Sequence, residues 1–200
     1  GNFETYYAET FQETYSEYKD SKTAFSALSE GIEQRLIVPQ FHGHEHLNVS
    51  RWMKFLKEGN ERYHFAFERK CFAIDEISAE NRRGNLMAAY DYDDEVERAY
   101  ITESIAAGLQ QFEQVFGFKS QTTIAPCYVW DKVVELIFQQ HEVNSFQGSF
   151  LQNSPDQGKG FRKKYRYAGQ KNTEGQYYFV RNGLFEPSLS PNVDWVDKCL

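Results

Sequence analysis

Apolar positions recur at helical spacing in four stretches of the chain, so that each stretch presents one hydrophobic face. The longest stretch, residues 93–116, predicts a helix that Gly117 ends. Shorter helices are predicted at residues 21–35, 48–59 and 130–140, with Ser21 and Asn48 as the N-caps of the first two. Asn192 is the predicted N-cap of a further helix, whose apolar face has only begun where the sequence stops.

Short apolar runs between these helices predict strands. The strands lie at residues 36–38, 86–90, 122–125, 143–146 and 176–180. The pattern leaves residues 60–80 open between helix and strand, and it indicates a loop or irregular helix at 1–20, a long loop at 147–160 and a turn at 185–187. Because helices and strands alternate with short links, we predict an α/β fold with parallel strands and outer helices, typical of part of a (β/α) barrel.

Composition narrows the classes of function. The net charge of -7 argues against nucleic-acid binding, and the one basic run, residues 162–166, is interpreted as a solvated loop or strand edge. No apolar run reaches the roughly 20 residues that a membrane span needs. With 17 Phe, 13 Tyr and 3 Trp, the chain is expected to have an aromatic core, and it has rings enough for an aromatic groove as well.

Length and cysteine content indicate one domain in a reducing environment. At 200 residues, the whole chain is predicted to form a single domain. Cys71, Cys127 and Cys199 are widely spaced and odd in number, which predicts neither a metal-binding knuckle nor a disulfide framework. Free thiols favour a reducing compartment, and hence a cytoplasmic location.

Residues with metal-binding side chains cluster where the first predicted strand ends, in the stretch LIVPQFHGHEH at 36–46. His42 and His46, four residues apart, share a face if the segment turns helically, whereas His42 and His44 share one if it is extended. Either pair of neutral imidazoles would suit Zn²⁺ or a similar divalent ion, with a carboxylate as the usual third ligand. Glu45 is either exposed or, like His44, a group that supports the ligands by hydrogen bonding.

Two stretches resemble the polysaccharide deacetylase superfamily, especially a poorly characterised bacterial branch with an HGREH-like sequence. They are LIVPQFHGHEH followed by Leu47-Asn48-Val49, and TTIAPCYVW at 122–130. In that family an HxxxH motif after a strand supplies two metal ligands, and here the motif falls on His42 and His46. The family's later RxPY motif corresponds to Ile124-Ala125-Pro126-Cys127, where only the proline matches.

The resemblance implies a hydrolase that uses a divalent metal, expected to be zinc, to remove the acetyl group of an N-acetylated sugar. It places the backbone N–H of Cys127 near the oxyanion, while Tyr128 and Trp130 either stack on the sugar or belong to the core. The family's aspartate-rich first strand and its late Leu-x-His strand have no counterpart, so no catalytic acid or base is identified. The chain is therefore interpreted as an internal fragment of a longer barrel, with little or no activity alone.

Two alternative functions stay open from the sequence. An amidohydrolase-like metal hydrolase would use His42 and His44 as its ligand pair. A degenerate barrel would instead bind carbohydrate without catalysis through Tyr90, Tyr128 and Trp130, and the altered RxPY motif favours this second alternative.

Overall fold

A computed structural model describes residues 3–17, 21–72, 74, 85–157, 160–181 and 185–199. The helices within these ranges are α1 (Phe11–Glu17), α2 (Ser21–Glu33), α3 (Val49–Lys57), α4 (Glu61–Glu68), α5 (Glu95–Phe116), α6 (Lys132–Gln140) and α7 (Trp195–Cys199). The strands are β1 (Thr122–Ile124), β2 (Ser145–Gly148), β3 (Leu151–Pro155), β4 (Phe161–Tyr165) and β5 (Tyr177–Val180). Among the described residues, no helix combines the length and the apolar character needed to cross a bilayer.

A three-stranded parallel sheet in the order β1-β2-β5 lies at the centre of the fold. Ahead of β1 in the chain, Phe41 makes one parallel bridge to Thr123, so that a fourth segment joins the sheet beside β1. The predicted α/β fold with parallel strands is thereby confirmed. Within the described residues the strands form an open sheet and do not close into a barrel.

The two faces of this sheet differ, because successive side chains of a strand point to opposite sides. On the buried face, the ring of Phe146 stacks on Trp130 at 5.4 Å between centroids and meets Phe138 of α6 edge-on at 5.4 Å. Apolar residues of α5 complete this core. The opposite face lines a cavity of about 450 Å³ with largely polar side chains, including Ser145 and Gln147.

Helix ends follow the local signals of the sequence. Asp94 caps α5 by accepting hydrogen bonds from the N–H groups of Val96 and Glu97, and Gly117 ends the helix at a φ of 75°. Asn48 caps α3, as predicted. Residues 60–80, for which the pattern did not decide between helix and strand, begin with α4. Residues 75–84 lie outside the described residues.

The strand predicted at residues 36–38 is absent, and these residues are exposed coil. The N–H groups of Leu36 and Ile37 both donate to the carbonyl of Gly31, closing the end of α2 after Arg35 takes a left-handed conformation with φ 59°. Their backbone donors are therefore used as a helix C-cap instead of a sheet ladder. Pairing with the sheet begins only at Phe41.

The strand predicted at residues 86–90 is also absent, since these residues form buried turns. Asn48 binds three of the carbonyl groups in and beside these turns. Its backbone N–H donates to the Leu86 carbonyl, and its side-chain amide donates to the carbonyls of Ala88 and Asp91. Below these turns, Arg51 of α3 and Asp91 form a buried ion pair with 2.6 Å between Nη1 and Oδ2. The segment is thus held by side chains that are distant in sequence.

The prediction of one long loop at residues 147–160 was wrong, because this range contains β3, which pairs with the following strand β4 in an antiparallel hairpin. The basic run lies mostly on β4, at a strand edge, as the sequence suggested. Near the end of the chain, the N-cap of α7 is Asp194 and not Asn192, since the Asp194 carboxylate accepts from the N–H groups of Val196 and Asp197.

A buried polar network attaches the hairpin to the central sheet. Gln152 of β3 donates to the Trp130 carbonyl and accepts from Nε of Arg166, both at 2.7 Å. Glu135 of α6 accepts from Trp130 Nε1 at 3.0 Å and from the Tyr178 hydroxyl at 2.5 Å, and it lies 3.7 Å from Nη2 of Arg166. Burial, followed by the hydrogen bond to Glu135, raises the pKa of Tyr178 above its ordinary value.

Candidate metal site

The histidine segment turns back on itself directly after the sheet. His42 follows Phe41, the residue that bridges to the sheet, and Gly43 then takes a φ of 128° that side-chain-bearing residues rarely adopt. A Cβ on Gly43 would also lie 2.9 Å from the carbonyl oxygen of Glu45. Only glycine permits this tight turn, which brings the rings of His42 and His46 to 4.8 Å between centroids at an interplanar angle of 62°.

The hydrogen bonding of His42 prepares one ring nitrogen as a ligand. Its Nδ1 lies 2.8 Å from the carbonyl oxygen of Ile124, which only accepts, so Nδ1 carries the proton. The lone pair of the neutral ring is therefore on Nε2. Burial lowers the pKa of His42, the Ile124 carbonyl opposes this effect, and His46 and Arg181 add to it. A neutral imidazole held by a backbone carbonyl is the usual state of a metal-binding histidine.

A second observation at this pair concerns a ring nitrogen of His46. Its Nδ1 is buried and has no hydrogen-bond partner among the described residues. A buried polar nitrogen without a partner is costly, so a donor or a cation at this position would be favourable. Two imidazoles can contribute two ligands to a divalent ion. The part of the chain that the structure describes contains no cluster of three or more His, Cys, Asp or Glu side chains suited to one.

His44 and Glu45 lie apart from this pair. His44 contacts the side-chain oxygen of Gln111 through Nε2 at 2.8 Å and Glu45 through Nδ1 at 3.2 Å. Helix α5 approaches so closely that a Cβ on Gly108 would lie 2.8 Å from Cβ of His44. The structure therefore brings His42 together with His46, whereas His44 is directed to α5 and does not pair with His42.

The segment after β1 follows Ile124, whose carbonyl oxygen contacts His42, and continues through Cys127 and Tyr128. Both residues have left-handed backbones, with φ of 53° and 56°, inside a 3-10 turn formed by Pro126–Tyr128. Left-handed residues other than glycine store strain and concentrate at functional sites. Trp130, by contrast, is 1% exposed and stacks on Phe146, so its ring belongs to the core and offers no surface to a ligand.

Arg181 is a site residue that the sequence reasoning missed. It follows β5, its guanidinium lies 5.9 Å from the centroid of the Tyr128 ring, and its charge reaches His42. The signal was present, because the carboxyl ends of parallel strands meet at one edge and Arg181 directly follows the predicted strand at 176–180. Asking which residue follows each predicted strand would have found it.

The arrangement joins two imidazoles, one guanidinium and one partly exposed tyrosine ring at the carboxyl ends of parallel strands. Such a set can hold a divalent ion and place positive charge beside a reacting carbonyl. Comparisons of the chain with protein-family models, curated proteins and solved structures found no match.

Proposed function

We propose that this protein is a metal-dependent hydrolase of the polysaccharide deacetylase type, acting on an N-acetylated sugar. His42 and His46 bind the divalent ion, for which zinc is the natural candidate with imidazole ligands. The observation that carries the proposal is the pairing of these two rings, 4.8 Å apart, at the carboxyl end of the parallel sheet. In barrel enzymes this is the end at which active sites are built.

The architecture supports the barrel part of the proposal. Parallel strands with a helix packed on one face are the arrangement expected of one sector of a (β/α) barrel. In such a barrel the other face of the sheet would point to the interior, and the residues after each strand would surround the substrate. We infer that this sheet is part of a deacetylase-type barrel.

Each site residue has a distinct role in the proposed reaction. A bound divalent ion supplies Lewis-acid chemistry toward the amide carbonyl of the acetamido group. The backbone N–H of Cys127 and the guanidinium of Arg181 stabilise the negative charge that develops on the carbonyl oxygen. Arg181 thereby provides a positive charge in place of the arginine of the RxPY motif, where this chain has Ile124. The Tyr128 ring stacks on the sugar.

The ligand pair is tested by zinc titration of single variants. We expect His42→Ala and His46→Ala each to weaken zinc binding by at least about a hundredfold, because each removes one of the nitrogen ligands. His44→Ala is the matched control and should stay within about threefold of the unchanged protein, since His44 contacts Gln111 and Glu45. Isothermal titration calorimetry measures the affinities, and circular dichroism checks that each variant is folded.

The outcomes separate the proposed function from the two alternatives. Loss of zinc binding in His44→Ala, with His46→Ala unaffected, would favour the amidohydrolase-like ligand pair. Saturable binding of N-acetylated oligosaccharides by a chain that binds no zinc would favour the carbohydrate-binding module. That module has limited structural support, because Tyr90 and Trp130, two of its three aromatic residues, are buried.

A further inference from the structure

A larger cavity of about 680 Å³ lies between residues 6–11 and helix α5, and we call it the α5 cavity. Its volume is within the range of small-molecule binding sites. His44 and Glu45 line it, while the proposed metal ligands His42 and His46 do not. The α5 cavity is therefore a separate compartment that the proposed deacetylase reaction does not use.

Aromatic rings form much of the wall of the α5 cavity. They come from both the N-terminal segment and α5, and they include Tyr6, Tyr7, Phe11, Tyr100, Phe112 and Phe116. The faces of such rings carry partial negative charge and attract cations that come within about 6 Å. An aromatic wall of this kind is suited to a ligand that is both apolar in its outline and positively charged.

The charged side chains that line the α5 cavity also favour a positively charged ligand. Glu9, Glu45 and Glu103 line the α5 cavity, and among the residues that the structure describes, no lysine or arginine lines it. Of these three glutamates, Glu45 is held in place by its surroundings. Its side chain is 13% exposed, and it accepts a hydrogen bond from Ser104 Oγ at 3.0 Å. Its negative charge adds to the effect of burial in raising the pKa of Tyr100 to about 12.

A buried hydroxyl beside this wall is also without a partner. Tyr90 is almost fully buried, and among the described residues its hydroxyl has no hydrogen-bond partner. That oxygen lies 3.2 Å from the position that a Cβ would take on Gly43, a residue that lines the α5 cavity. Tyr90 does not itself line the α5 cavity, so its hydroxyl lies behind the wall at Gly43.

We propose that the α5 cavity binds an organic ammonium ion, with the cation held between the aromatic rings and the carboxylate of Glu45. The ligand is a compact cation with an apolar surface, such as a quaternary or substituted ammonium group. The aromatic rings contact its alkyl groups, the Glu45 carboxylate pairs with its positive charge, and Glu9 and Glu103 add to the negative potential. This site does not depend on metal binding or on hydrolysis.

The test compares two ligands of nearly identical shape and different charge. Choline and 3,3-dimethylbutan-1-ol differ mainly in that a carbon replaces the quaternary nitrogen. In calorimetric titrations of the full chain, we expect choline to bind with one-to-one stoichiometry, at least about tenfold more tightly than the neutral alcohol. Glu45→Gln should weaken choline binding by about tenfold. Glu113→Gln, an exposed change on α5 outside the lining of the cavity, should leave choline binding unchanged.

A second pair of variants keeps the proposal testable if Glu45→Gln does not fold. Tyr100→Phe retains the aromatic face and should bind choline nearly as well as the unchanged protein, whereas Tyr100→Ala should lose about fivefold or more. Equal affinities for choline and the neutral alcohol would overturn the proposal. So would the absence of choline binding, or displacement of choline by neutral N-acetylglucosamine at a lower concentration than choline itself requires.

Discussion

Replacing Asp91 with alanine is expected to lower the free energy of unfolding by about 3–5 kcal/mol, because it leaves the Arg51 guanidinium buried without its partner. Nη1 of Arg51 lies 2.6 Å from Oδ2 of Asp91, and the two side chains are only 3% and 1% exposed. Arg51 also contacts Asp93 at 3.3 Å, but that carboxylate is 33% exposed and partly screened by water. Since domains of this size unfold with about 5–15 kcal/mol, this loss would remove a large fraction of the stability.

The matched control is Asp93→Ala, which removes the other carboxylate beside Arg51 and should cost about 1 kcal/mol or less. Combining Arg51→Met with Asp91→Leu should recover most of the stability lost in Asp91→Ala, because no charge then remains buried. Urea denaturation followed by tryptophan fluorescence measures all of these values. Equal losses in Asp91→Ala and Asp93→Ala would show that the buried pair does not hold α3 against the turns at 86–91.

Glu135→Ala should be the second most damaging change, with a loss of about 3 kcal/mol. Its carboxylate is 4% exposed and accepts from both Trp130 Nε1 and the Tyr178 hydroxyl, so alanine would leave two buried donors without an acceptor. It would also remove the negative charge that faces Arg166. Because Arg166 connects the hairpin to this network, the hairpin should loosen together with the core.

Two measurements distinguish this effect from general loss of packing. Glu135→Gln keeps one side-chain oxygen as an acceptor and should cost clearly less than Glu135→Ala, by about 1 kcal/mol or more. Hydrogen exchange in Glu135→Ala should accelerate in β3 and β4 more than in α5, which has its own packing. Uniform acceleration across the hairpin and α5 would mean that Glu135 supports the core without linking the hairpin to it.

The elements that sequence reasoning predicted well are those with strong local signals. Helix α5 has a long apolar face, an aspartate cap and a terminal glycine, all encoded within its own residues. Helix α3 is similar, with Asn48 at its start. Strands β1 and β5 are apolar runs bounded by polar segments and were placed to within one residue or two. In each case the determinants lie inside the element or directly beside it.

The sequence expectations failed where hydrogen bonding, which an apolar pattern does not show, decides the structure. Leu36 and Ile37 form an apolar run, but their N–H groups close the end of α2 on Gly31. The apolar run at residues 86–90 reflects burial in turns and not a strand. Asn48 donates to carbonyl groups of this run, where a neighbouring strand would otherwise do so. The hairpin escaped detection since its strands are polar, and its main anchor, Gln152, is a buried glutamine that no hydrophobic pattern reveals.

The candidate site was predictable as a set of residue types and unpredictable in its geometry. Spacing allowed His42 to pair with either His44 or His46, and the choice depends on the turn at Gly43 and on Gln111, which lies on α5 and contacts His44. Trp130 was considered as a sugar-stacking ring or a core residue, and its burial follows from packing against β2. Tertiary contacts decided both questions.

The central claim is that His42 and His46 bind one divalent ion together, and nitrogen-15 NMR of the imidazole rings during zinc titration tests it most directly. The chain has 5 histidines, so each ring can be assigned by substitution. We expect one ring nitrogen of His42 and one of His46 to shift in parallel and to saturate at one equivalent of zinc, while His44 stays unchanged. If His44 shifts with His42 while His46 does not, or if no ring responds to zinc, the proposed metal site is contradicted.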